Sequence, residues 1–138
     1  MPSPLPWSHA ALGGFASSLR TFAGPALLAA RGRISGTRQI AVLVVAAGEL
    51  ALDKSSLAND RIDAPAVGAR IAAGAYTGHA IAAPAGAAAA AASAGLGTYA
   101  TYHARRLIVR RTGLPDWVVA VGEDLLAISA AALATRSA

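Results

Sequence analysis

Eight ionisable side chains stand inside or at the edges of otherwise apolar stretches of this 138-residue chain: Arg20, Glu49, Asp53, Lys54, Arg70, Asp116, Glu123 and Asp124. A charge held at the centre of a bilayer costs about 2.5–3.5 kcal/mol on the insertion scale, so such groups face the interior, pair, or line a wet cavity. Glu49 and Asp53 are four residues apart and share a helix face. Asp116, Glu123 and Asp124 fall near one stripe of another helix, and Arg20, Lys54 and Arg70 supply counter-charges. The spacing predicts one buried polar cluster. It has two roles open to it: an ion-pair network that holds helices in register, or a polar path or binding site for a proton, ion or small solute. Asp53, Lys54 and Asp116 sit near predicted helix ends, where water could also take them.

Other chemistry is thinly represented. The histidines, His9, His79 and His103, form no i, i+4 pair and no His-Glu constellation, so no metal site is expected. There is no cysteine, hence no disulfide or thiolate site. No phosphate loop, dinucleotide fingerprint or nucleophile elbow is present, and no cofactor is expected. Acid–base catalysis on a lipid would need carboxylates with shifted pKa values at a cleft, so the balance leans away from an enzyme.

The elements that must position the charges are apolar and alanine-rich. Hydrophobic residues make up 55% of the chain and charged ones 14%, with mean hydropathy +0.49; soluble domains carry about 25% charged residues. Five segments can be marked. The first, Ser8 to Ala30, contains Arg20 and is interrupted near Gly24-Pro25, which predicts a bent helix or a re-entrant pair. The second runs from Gln39 to Ser56 and the third from Pro65 to Ala83. Pro84 breaks the chain before the fourth, Ala85 to Arg106. The fifth runs from Asp116 to Ala134, with Asp116 as a candidate cap and Trp117 as an interfacial anchor. From Ile71 to Ala104, 34 residues pass without Asp, Glu, Lys or Arg. A surface helix of a soluble protein needs a polar face, and about 20 residues cross a bilayer core. The run therefore suits two crossings joined near Pro84. The expected fold is all-α, a single domain over residues 1–138 with four to five transmembrane segments.

Small residues recur at four-residue spacing: Gly74, Gly78 and Ala82, then Gly86, Ala90 and Ala94, with Ser93 and Gly97 as a further pair. Such faces let helix backbones approach closely, within the monomer or in a homo-oligomer. The net charge of +5 is concentrated at Arg31, Arg33 and Arg38 and at Arg105, Arg106, Arg110 and Arg111. Basic clusters that flank apolar segments fit anionic headgroups of a lipid bilayer; nucleic acid is not an expected partner. The first cation is Arg20, so a cleaved secretory signal is not expected. If three segments span between the two basic loops, the loops lie on opposite sides, against the positive-inside rule. A re-entrant segment, insertion in both orientations, or an antiparallel internal repeat would each account for it.

The ordered residues Leu19-Arg20, Gly24-Pro25-Ala26-Leu27, Gly48-Glu49, Asp53-Lys54, Pro65, Arg70, Gly113-Leu114-Pro115-Asp116 and Glu123-Asp124 resemble an uncharacterised bacterial membrane family, domain of unknown function 4126. The resemblance runs from about Gly13 to Ala132. Two positions depart from the family pattern: Ser18 replaces a Gly before Leu-Arg, and Ser55-Ser56 stand where a Pro follows Asp-Lys. The resemblance implies a multi-helix protein of the cell membrane with Arg20, Glu49, Asp53, Lys54, Asp116, Glu123 and Asp124 as signature positions. It implies no activity. Three function classes fit the sequence: a transporter-like or channel-like membrane protein, a structural or assembly protein of the membrane, and a soluble alanine-rich bundle.

Overall fold

The computed structural model describes residues 6–52 and 62–137. Among them the chain is all-α, without strands. Five helices follow in order: α1 (Pro6–Leu19), α2 (Ala23–Ala30), α3 (Thr37–Leu52), α4 (Ala64–Thr112) and α5 (Asp116–Ala134), closed by a short 3-10 turn at Thr135–Ser137.

α4 is a helical hairpin. Ala82 (φ −143°, ψ 33°) and Ala83 (φ 51°, ψ −146°) leave helical geometry immediately before Pro84. Proline bars helical backbone at the residue before it and offers no N–H to the preceding turn. The chain reverses there with no loop. Gly78 then faces Gly86, Gly74 faces Ala90 and Ala94, and Gly95 faces Ile71, so the two arms run antiparallel. The positive φ at Ala83 is a conformation that costs an L-residue about 1–2 kcal/mol. Ala83 is exposed, so Ala83→Gly should stabilise the protein by about 1 kcal/mol. A melting temperature that rises by a few degrees would confirm it; a fall would mean that this turn is not strained.

α1 lies in the groove of the hairpin. Gly13 meets Thr77, Gly14 meets Ala90, and Gly97 meets Ser18 and Phe15. α1 thus runs parallel to the second arm. It stops at Leu19, and α2 turns back antiparallel to it: Gly24 returns to Thr77, which also faces Gly13. Leu12, Phe15, Ala23 and Leu27 pack around the shared cluster of Ala16, Ala130 and Ala131. The first segment is therefore a pair of helices that doubles back on itself. Its interruption lies at Arg20–Phe22, ahead of Gly24-Pro25. Pro25 sits in the first turn of α2, where a missing N–H leaves no helical bond unmade.

α3 runs antiparallel to α2, tied by Gln39 Nε2 donating to the Ala29 carbonyl at 2.9 Å. None of its described side chains is fully buried. α5 runs antiparallel to α1, with Ala134 beside Gly13. Pro115, not Asp116, takes its N-cap position. Arg31 donates from Nη1 to the Thr135 carbonyl and from Nη2 to that of Ala132, the latter at 3.1 Å. A cation thus satisfies carbonyls that the last turn of α5 leaves open.

Because α3 and both arms of α4 run end to end, the loop at Arg31–Arg38 and the arginines at 105–111 lie at opposite ends of the bundle. Two helices, α4 and α5, are long and apolar enough to cross a membrane. α3 has 16 described residues, roughly 24 Å, and the last four positions of the expected Gln39–Ser56 segment lie outside the described residues.

Candidate functional site

Backbone chemistry explains the first site. Where α1 ends, the N–H groups of Thr21 and Phe22 begin a new helix, and the N-cap position, Phe22, has no side chain able to cap it. Unpaired N–H groups at a helix start must find acceptors. Glu49 of α3 supplies them: Oε1 accepts from Thr21 N at 2.7 Å and Oε2 from Phe22 N at 3.0 Å. Each oxygen of the carboxylate thus takes one donor. The charge also lies at the positive end of α2.

Arg20 occupies the turn between the same two helices. It is 4% exposed, and its Nε donates to Oδ1 of Asp124 on α5. Arg20, Glu49 and Asp124 line one cavity of about 90 Å³, whose other walls include Ala26, Ala46 and Ile128. The cavity lies between α2, α3 and α5. Its walls are almost wholly apolar, and these three side chains present little polar surface to it. It has room for a few water molecules or a small solute.

A second group forms at the end where the chain passes from α4 into α5. Arg105 forks onto Asp116, with Nε to Oδ1 at 2.8 Å and Nη2 to Oδ2, and its Nη1 reaches Glu123 Oε2 at 3.0 Å. A planar guanidinium suits this two-oxygen grip. Glu123 is nearly buried, whereas Asp116 is largely open to solvent.

The structure distributes the predicted charges over two groups. Arg20, Glu49 and Asp124 meet around the cavity; Asp116 and Glu123 meet at Arg105. Arg70 is buried on the first arm of α4. Asp53 and Lys54 lie outside the described residues. Sequence reasoning missed Arg105, which it grouped with the basic flank. A usable signal was present: Arg105 directly follows the uncharged run and precedes Asp116 by eleven residues across a Gly-Leu-Pro turn. That spacing brings it beside the start of the next helix. Of the predicted packing positions, Gly74, Gly78 and Gly86 form the hairpin interface, and Gly97 meets α1. Ser93, one turn before Gly97, is half-buried. Among the described residues no three His, Asp or Glu side chains converge as a metal centre requires. Compared with family models, curated proteins and solved structures, the chain matches none.

Proposed function

We propose that this chain is a multi-pass integral membrane protein of the cell membrane, and that the cavity at Arg20, Glu49 and Asp124 binds or conducts a proton, ion or small solute. One observation carries the membrane part: the usual distribution of side chains is inverted. Leu96 is 76% exposed, Trp117 70% and Ile40 65%, and Val44, Leu125 and Ile128 also face outward. The interior is filled mainly by alanine, glycine, serine and threonine, with Leu19, Leu28, Ile34 and Val67 as its few large aliphatic side chains, together with Arg20, Arg70 and Glu123. Leaving a large aliphatic side chain in water forgoes about 1.5–3 kcal/mol. In lipid that penalty vanishes. The two arms of α4 and α5 supply three crossings, α3 a fourth, and the α1–α2 pair dips in from one side.

The transport part is supported by a helix interrupted inside the bundle, with the ionisable residues Arg20, Glu49 and Asp124 lining a cavity beside the break. Transporters build substrate sites at such breaks. A second reading, a purely structural role, is favoured by the engagement of each of these groups: Arg20 holds Asp124, and Glu49 caps α2.

Two experiments separate these readings. Carbonate washing of cell membranes should leave the protein in the pellet, and its release would remove the membrane proposal. Proteoliposomes loaded with a pH-sensitive dye should then show proton or solute flux that Glu49→Gln and Asp124→Asn abolish without changing the elution of the purified protein. Wild-type flux in both variants would sink transport through this cavity. Absence of flux from the wild type, with lowered melting temperatures in the variants, would leave the structural role.

A further inference from the structure

Adjacent arginines near the end of α4 have different fates. Arg105 turns inward to Asp116 and Glu123. Arg106, Arg110 and Arg111 are exposed, and among the described residues no carboxylate pairs with them. His103, Arg106 and Arg110 follow one side of the helix at i, i+3 and i+7. With Leu107 they border an open depression of about 220 Å³. Arg106 is held in place from below: its guanidinium lies 5.6 Å from the centre of the Tyr102 ring, and Nη1 donates to the Tyr102 hydroxyl at 3.2 Å. Leu107, Ile108, Leu114 and Trp117 are exposed at the same end. The register of the hairpin puts the start of the first arm level with about residue 102. The second arm therefore overruns it by roughly ten residues.

We infer that this face, His103, Arg106 and Arg110 with Arg111 beside them, binds the phosphate headgroups of anionic phospholipids. The inference rests on the membrane reading and adds the lipid class. The partner must offer negative charge and an apolar boundary together, because the basic stripe and exposed Leu107, Ile108 and Trp117 share one end. An anionic bilayer surface does so. Single-stranded nucleic acid would use aromatic platforms for its bases, and Tyr102 is already taken by Arg106.

Trp117 follows Asp116, which Arg105 grips, so it reports from this end; Trp7 starts α1 at the other end. Trp7→Phe protein is reconstituted into vesicles of phosphatidylcholine doped with brominated phosphatidylcholine or brominated phosphatidylglycerol, and quenching of Trp117 is compared. The brominated phosphatidylglycerol should be preferred, by about five-fold for each arginine engaged. R106Q/R110Q should remove the preference, and R106K/R110K should keep most of it. Helix content by circular dichroism should be equal in all three. Equal quenching by both lipids in protein with wild-type arginines would overturn the inference while leaving the membrane reading intact. So would a preference that survives R106Q/R110Q, or one that millimolar inorganic phosphate erases. If neither brominated lipid quenches Trp117, the membrane reading fails as well.

Discussion

Gly14→Ala should lower the melting temperature in detergent by roughly 10 °C, while Gly122→Ala should raise it slightly. Both changes add one methyl group to a helix. A β-carbon at Gly14 would overlap the carbonyl oxygen of Ala90, with Ala90 Cα at 2.6 Å, and Gly74 crosses at the same level. Three helices meet backbone to backbone there, and no flexible side chain can yield. Overpacking costs about 1–3 kcal/mol where side chains can adjust, so a backbone clash belongs at the top of that range. For a chain of this size, 1 kcal/mol moves the midpoint by about 3–5 °C. At Gly122 nothing lies within 4 Å, and replacing a mid-helix glycine by alanine gains roughly 0.5–1 kcal/mol. If Gly14→Ala melts like wild type, the helices do not touch at this crossing. Gly78→Ala, whose β-carbon would overlap the Gly86 carbonyl, repeats the test within the hairpin alone.

This crossing shows how much of the architecture was legible. Glycine and alanine at four-residue spacing marked which faces of α4 close on each other, and Pro84 marked where the chain reverses. Both signals are local. They depend on backbone sterics that travel with the residue type. The seat of α1 was not legible, because Gly13 and Gly14 match Thr77 and Ala90 only after the hairpin has formed a groove. The same limit applies to the charges. That Arg20, Glu49, Asp116, Glu123 and Asp124 needed partners followed from their apolar settings. Which partner each found did not. Glu123 and Asp124 are neighbours in sequence but project about 100° apart around α5, and that rotation sends one to Arg105 and the other to Arg20. Glu49 was expected to meet a cation. It serves backbone N–H groups instead, since a helix start inside the bundle exposes donors that side-chain spacing does not reveal.

The ion pair at the tip of the re-entrant element should behave as a unit. Arg20→Met should destabilise the protein by about 3–5 kcal/mol, because it leaves the Asp124 carboxylate buried without its arginine, and Asp124→Leu should also destabilise it, because it takes from the buried Arg20 the carboxylate that its Nε holds. Arg20 is 5% exposed in its side chain and Asp124 15%, so water can compensate little. The double variant Arg20→Met/Asp124→Leu should be markedly more stable than either single variant. It removes both desolvated charges and fills the space with apolar atoms of similar volume. A double-mutant cycle from denaturation in detergent reads the coupling directly. Additive losses would mean that the two side chains do not depend on each other, and the cavity would lose its charged wall as a functional unit. Strong coupling, by contrast, separates two demands on the same residues. If the double variant folds as well as wild type yet no longer supports flux, the pair is kept for what it does to a solute. If it folds and wild type never showed flux, holding the re-entrant tip against α5 is sufficient reason for a buried arginine and aspartate to face each other.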